Sequence, residues 1–462
     1  MHKSIENDLN QFDELLTTVK DKGIAYLNAL SERPTSSTHQ VTEHINLPEE
    51  GPGTLKALEH FLQRFEPLMV ASSGPRFWGF VTGGTTPAAI VGDWLTSIYD
   101  QNTQTTKGDG DVSATIEQET IQLLLELLQL PKDYLGGFVS GATMSNFTCL
   151  AVARQWVGHQ LGKDFARDGI TETIPVVSAT PHSSSIKSLA MLGLGSKNII
   201  HINTKNGNRE AMDMEHLEST IQNLQGQPFI LISSAGTVNT VDFDDFSAIA
   251  KLKEKHQFWW HIDAAFGGFA ACSPSYKGLL MDWHQADSIT LDGHKWLNVP
   301  YESGAFLIKE KHQLLQVASF QNSNAPYLGD PMESFNYLNL LPENSRRLKA
   351  LPVWFSLVSY GREGYQSIVE NCITLAKEFG QAIEENERFE LLAPVRLNTV
   401  CFCLKNQART ASFLSSLNAT GKVFMTPTTY QGKAAIRAAF VNYRTTKKDI
   451  TSTLKLMEET CR

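Results

Sequence analysis

Several polar residues sit where apolar, strand-like runs come to an end, and their types could do chemistry. "SITLD" (288–292) gives way to Gly293-His294-Lys295 before Trp296 and Leu297 return to apolar character. A lysine near apolar walls costs stability unless its charge is matched or its pKa falls, so an amine displayed there suits a nucleophile. "FWWHID" (258–263) ends in Asp263, followed by Ala264-Ala265 and Gly267-Gly268. "IPVVSAT" (174–180) ends in Pro181-His182, and "PFILISSA" (228–235) in Gly236-Thr237. Upstream, "GGFVSGATMSN" (136–146) is a Gly-rich turn opening a helix, whose free N–H groups and dipole favour an anion.

Singly, each has an ordinary reading: a loop glycine, a hydrogen-bonded histidine, a capping or buried aspartate. Together they match the needs of pyridoxal 5′-phosphate. The amine of Lys295 forms a Schiff base with the aldehyde, and the carboxylate of Asp263 keeps the pyridine nitrogen protonated so that the ring draws electrons. His182 can stack on the ring, and His294 can serve the phosphate.

For these groups to meet, they must lie at one sheet edge. Ligands of open parallel sheets bind beyond the carboxyl ends of the strands, and strand-like runs at 174–180, 198–203, 228–235, 258–265, 287–292 and 304–309 alternate with helical stretches such as Phe246–Lys255. That alternation predicts a mainly parallel α/β sheet with helices on both faces. Helices are expected at 1–30, near 55–65, at 88–99 and at 113–128. A long amphipathic helix, bent or restarted at Pro352, follows Ser345, with helix 363–385, strands near 399–404 and 435–441 and a last helix from Lys447 beyond it. The division expected is an N-terminal helical segment (1–84), a large domain (85–345) and a small C-terminal α/β domain (346–462).

The 462 residues carry a net charge of −9, which argues against nucleic acid or an anionic membrane as the main partner. No apolar run reaches the roughly 18 residues of a membrane span, and the acidic, amphipathic start lacks a signal peptide's apolar centre. Six cysteines without metal-ligand spacing point to reduced thiols in a cytoplasm and to no metal site.

"HIDAAFGGFA…SITLDGHKWLNVPYESGAFL", with "SGATMSN", "TPHSSSIKSLAMLG" and "AGTVNTVDFDD", resembles the group II pyridoxal-phosphate-dependent amino-acid decarboxylases, from 74 to 450. The resemblance implies fold type I of the pyridoxal-phosphate transferases. It also implies a homodimer with its active sites at the interface, and N-terminal helices draped over the partner. By position, Lys295 would bind the cofactor covalently, Asp263 would pair with the ring nitrogen, and Ala265 and His182 would pack on its two faces. Thr143, Met144 and His294 would bind the phosphate, and Thr237 would stand in the wall near the ring. The family's mobile-loop tyrosine, which returns the proton, falls at Tyr337, with Tyr327 as fallback. Phe80, Val81, Thr82 and Lys107 fall at substrate-lining positions, beside Trp78 and Thr105.

The expected reaction is decarboxylation of an aromatic or large apolar L-amino acid to its amine. Lys107 and Arg76 keep an acidic substrate such as glutamate or aspartate open. Aminotransfer or oxidative deamination to an aldehyde on the same scaffold, and a non-catalytic paralogue, are the alternatives to decarboxylation.

Overall fold

The central strands are buried along their whole length, as expected of a sheet covered on both faces. A computed structural model describes residues 1–39, 41, 44–106, 112–321 and 335–461. Its large sheet contains β1 (Tyr134–Val139), β2 (Val176–Ser178), β3 (Ile199–His201), β4 (Phe229–Ser234), β5 (Phe258–Asp263), β6 (Ser288–Asp292) and β7 (Gly304–Lys309). Their spatial order is β1-β7-β6-β5-β4-β2-β3. From β6 to β3 neighbouring strands run parallel, whereas β7 is antiparallel to both β6 and β1. The sheet is therefore mainly parallel, in an α/β fold.

β1 is a strand the sequence reading folded into the Gly-rich turn. Gly136 and Gly137 hide it, since glycine is depleted in strands. Both are required by close packing: a Cβ on Gly136 would lie 2.9 Å from the Phe306 carbonyl oxygen, and one on Gly137 would lie 3.0 Å from the rings of Phe306 and Tyr337.

The smaller sheet is antiparallel, in the order β10-β11-β9-β8. Its strands are β8 (Phe389–Leu391), β9 (Thr399–Leu404), β10 (Thr426–Tyr430) and β11 (Lys433–Ala439). The helix Ala350–Glu385 leads into it and packs on the helices Pro87–Tyr99 and Ser113–Leu127. Pro352 does not bend this helix. It lies in the first turn, where a missing N–H costs nothing, and the break comes at Gly361 (φ 57°, ψ −166°). The N-terminal stretch forms two helices, Lys3–Asn10 and Phe12–Asn28, parted at Gln11.

Residues 77–84 cross from the small sheet to the large one. Trp78 packs on Phe379 and Phe440, its indole N–H donates to the Pro75 carbonyl (2.9 Å), and its backbone N–H donates to the Phe424 carbonyl. Trp78 is thus fully buried core rather than substrate wall. Among the described residues, no helix is long and apolar enough to cross a membrane.

Candidate active site

Lys295 stands on the loop between β6 and β7, and that loop is pinned at several points. Trp296 and Leu297 are buried. Asn298, in the left-handed region (φ 56°), donates from its side-chain amide to the carbonyls of Trp296 (2.7 Å) and Val441 (2.9 Å) and accepts from the Tyr443 N–H (3.0 Å). A flexible amine thus starts from a rigid base, as a positioned nucleophile requires. The Lys295 Nζ lies 3.5 Å from the Asp292 carboxylate, and 5.8 Å from the Phe266 ring centroid.

Asp263 ends the neighbouring strand. Its Oδ2 accepts from Asn146 Nδ2 and from Ser185 Oγ, both at 3.2 Å, and its Oδ1 accepts from the Ala265 N–H at 3.3 Å. Burial alone would raise its pKa, but His182 and His261, which are charged only in acid, together with the Lys295 charge and the Asn146 hydrogen bond outweigh burial and hold it below the ordinary value. The carboxylate is therefore anionic at neutral pH.

His182 caps the helix Ser183–Met191, its Nδ1 accepting from the Ser184 N–H at 3.1 Å. That leaves Nε2 to carry the ring hydrogen. Burial lowers its pKa, against the opposing pull of Asp263, so the imidazole is neutral at pH 7.

The helix Ala142–Gln160 opens at Gly141 with no side-chain cap, so its first-turn N–H groups, those of Thr143 and Met144 included, face outward from the helix end. The His294 ring stands there too, its Cε1 3.1 Å from where a Gly141 Cβ would lie. The Thr237 hydroxyl donates to Glu210 Oε2 (2.6 Å) and accepts from the Asp242 N–H (2.9 Å), which fixes the turn after β4. Ala265, nearly buried, links Asp263 to β6 by accepting from the Asp292 N–H (3.0 Å). An amine, an anionic carboxylate, a neutral imidazole and an uncapped helix end with a histidine beside it thus meet at one sheet edge. That donor set fits pyridoxal phosphate.

On the substrate side, Phe80 and Val81 both take the left-handed region (φ 54° and 60°), which is rare for a β-branched residue. Backbone strain of this kind gathers at functional sites. The Gly83 N–H donates to the His294 carbonyl (3.2 Å), and a Cβ on Gly83 would strike the Lys295 oxygen at 1.6 Å. Phe80 is exposed and leans on Phe424, Val81 is buried in the core, and the Thr82 hydroxyl bonds that of Tyr301 (3.1 Å). Thr105 Oγ1 donates to the Phe335 carbonyl (3.1 Å). Lys107 and Tyr327 lie outside the described residues. Arg76 is spent on Asp449 (3.2 Å) and on the Lys422 and Ser31 carbonyls.

Tyr337 corrects an expectation. It is 1% exposed, and its hydroxyl donates to the Gly136 carbonyl at 3.2 Å. Phe335 meets the ring edge-on, and the Arg346 guanidinium lies over it at 4.4 Å. Burial pushes the phenol well above its ordinary value. It is a core residue, not a loop acid.

Sequence reasoning gave no role to Asn146, His261, Ser185 or Arg437. His261 and Asp263 are two apart on β5 and so share a face, a signal that was present in the sequence. Arg437, on β11, donates from Nη1 to the Val238 carbonyl (3.1 Å), while its Nε has no partner. Its charge acts on His182. No cluster of metal-ligating side chains occurs among the described residues.

Fold and donor set together define the class: an enzyme that uses pyridoxal phosphate on a mainly parallel sheet. The crystal structure of Oryza sativa TDC with PLP and tryptamine shares the fold, with a TM-score of 0.89 at 21% identity over 98% of this chain and 97% of that one. Residues 39–405 match the pyridoxal-dependent decarboxylase conserved domain, and the chain belongs to that family of carboxy-lyases. An aromatic-L-amino-acid decarboxylase of Bacillus atrophaeus is 28% identical over 97% of this chain and 95% of its own. A phenylacetaldehyde synthase of Arabidopsis thaliana is 26% identical over 90% and 88%.

Proposed function

We propose that the chain decarboxylates an aromatic or large apolar L-amino acid to the corresponding amine, as a cytoplasmic homodimer. The observation that carries this is the convergence of Lys295, Asp263 and His182, with the exposed Phe80 three residues before Gly83, whose backbone abuts that of Lys295, offering apolar area to a side chain. When bound, pyridoxal phosphate supplies an aldehyde for the amine and a sink for the electron pair left by departing carbon dioxide.

Lys295 would hold the cofactor, its amine supplying the partner for the aldehyde. Asp263, anionic, keeps a proton on the pyridine nitrogen. His182, neutral and carrying its hydrogen on Nε2, is a hydrogen-bond donor rather than a strong acid, which suits packing on the ring and steadying the substrate. Thr143, Met144 and His294 take the phosphate, and Ala265 and Thr237 wall the ring. Thr82 and Val81 hold the Phe80 turn against the lysine loop.

Support for the homodimer comes from apolar side chains left exposed on the N-terminal helices, among them Leu9, Phe12 and Leu16, and on the helix Pro87–Tyr99, where Trp94, Ile98 and Tyr99 are bare. Support for the cytoplasm comes from six free thiols.

A second reading is favoured by the burial of Tyr337. With that phenol removed, return of the proton falls to Tyr327, and a chain whose loop acid failed would release an aldehyde and ammonia instead of an amine, with dissolved dioxygen as the two-electron oxidant and hydrogen peroxide as its reduced product. Both readings lose carbon dioxide, and membership in a decarboxylase family sets that loss above amino-group transfer. Incubation with a panel of L-amino acids, measuring carbon dioxide, amine, aldehyde and ammonia, tests both. Amine from tryptophan, tyrosine or phenylalanine supports the first reading. Stoichiometric aldehyde, ammonia and hydrogen peroxide, with dioxygen consumed, support the second, and turnover confined to glutamate or aspartate overturns the substrate class.

A further inference from the structure

A polar chain runs through the core beneath the helix Ala142–Gln160. The Trp259 indole N–H donates to Ser288 Oγ (2.9 Å), Ser288 Oγ lies 2.8 Å from His261 Nδ1, and His261 Nε2 lies 2.9 Å from Asn146 Oδ1. Asn146 Nδ2 then donates to Asp263 Oδ2 at 3.2 Å. Trp259, Ser288, His261 and Asn146 are all fully buried.

Every proton in this chain can be placed by elimination. The Asp263 carboxylate is anionic and only accepts, so Asn146 must turn its NH2 toward it. Reversing the amide would set oxygen against oxygen. The amide oxygen therefore faces His261 Nε2, which must be the N–H. Burial pushes the His261 pKa down to about 4, so the ring is neutral and Nδ1 is bare. Ser288 then donates its hydroxyl hydrogen to Nδ1 and accepts from Trp259. Donors run in one direction, from the indole to a single oxygen of Asp263.

The sheet enforces the arrangement. Trp259, His261 and Asp263 alternate onto one face of β5, and Ser288 is the registered partner of His261 on β6. A histidine fully buried between two strands has a desolvation cost that an apolar residue would avoid. What this one gains is control of Asn146. Asp263 Oδ2 is thereby doubly bonded, to Asn146 and Ser185, whereas Oδ1 keeps only the 3.3 Å contact with Ala265 N–H and has acceptor capacity to spare.

We propose that His261 and Asn146 are positioning residues that aim Asp263 at the pyridine nitrogen of bound pyridoxal phosphate. The inference rests on the cofactor reading above, and its test separates the two. Cofactor affinity is measured by absorbance titration for pyridoxal phosphate and for its 1-deaza analogue, in which carbon replaces the ring nitrogen. The proteins are wild type, His261→Leu, His261→Gln and Asn146→Leu. A glutamine amide nitrogen can stand where Nε2–H stands; leucine donates nothing.

His261→Leu and Asn146→Leu should each weaken the natural cofactor about tenfold to a hundredfold, the range for a lost hydrogen bond to a charged group, while the analogue binds them as it binds wild type. His261→Gln should bind both ligands like wild type. Equal weakening of both ligands would mean that the chain only supports the fold and would overturn the proposal. So would unchanged affinities, or a glutamine variant no better than the leucine one. Wild type that bound neither ligand would instead overturn the cofactor reading itself.

Discussion

Replacing Tyr337 by phenylalanine separates a core tyrosine from a catalytic one. The substitution removes only the hydroxyl and leaves the ring against Phe335 and beneath Arg346. The lost bond is the 3.2 Å donation to the Gly136 carbonyl, worth about 1 kcal/mol of stability. Arg346 keeps its buried partners, Glu117 at 2.8 Å and the Phe138 carbonyl at 2.9 Å, so no wider collapse follows. A general acid, by contrast, contributes roughly 10²–10⁴ in rate. Steady-state amine release should therefore stay within about twofold of wild type, a change of under ~1 kcal/mol in barrier. Thermal unfolding should move down by no more than about 4 °C. A fall in kcat of a hundredfold with an unmoved melting temperature would refute this reasoning and restore Tyr337 as the acid. Alanine at the same position does not discriminate, because it also unseats Arg346.

Lys295→Ala should abolish both the visible absorbance of the bound cofactor and turnover; near-wild-type turnover would sink the nucleophile assignment. Asp287, at the opposite end of β6 from the site, is held well below the usual carboxylate range: burial alone would raise it, but His312, Lys253 and Lys311 outweigh that. Its folded pKa lies below the unfolded value, so its contribution is present above about pH 4 and drains away as pH falls toward the folded pKa. Asp287→Asn should accordingly cost about 3–5 kcal/mol in urea unfolding at pH 7, as for one side of a buried pair, with the gap to wild type narrowing below about pH 4. A pH-independent gap would contradict the pairing.

What could be read from the sequence were features with a period or a breaker. The parallel strands stand out because burial on both faces makes them near-continuous apolar runs, and their polar ends expose Lys295, Asp263 and His182 at once. β1 was lost because packing against Phe306 and Tyr337 demands glycine where a strand signal wants bulk. Tyr337 was misplaced because counting from Arg346-Arg347 gives position along the chain but not depth. The same limit applies to Trp78: an aromatic beside a substrate segment reads alike whether it faces a ligand or Phe379. The role of Asn146 depends on contacts with residues more than a hundred positions away, such as Asp263, and no local pattern encodes them.

The topology explains why the phosphate turn and the lysine loop come together. Because β7 is antiparallel to both neighbours, its first residue, Gly304, pairs at once with Val139, the last of β1, and with Asp292, the last of β6. The helix that opens after β1 and the loop that carries Lys295 therefore leave the sheet on either side of one glycine. A Cβ there would lie 2.4 Å from the Gly141 carbonyl carbon, roughly an ångström inside ordinary contact, and against backbone that has no rotamer to change. Gly304→Ala should then push the first turn of the helix Ala142–Gln160 away from His294 while leaving Lys295 on its clamped loop. A displacement of that size costs about a hundredfold where geometry governs the chemistry. The expected result is weakened binding of pyridoxal phosphate and little change for pyridoxal, which lacks the phosphate, measured by absorbance titration. Equal affinities of variant and wild type for the phosphorylated form would show that the anion is held somewhere other than the Gly141 turn.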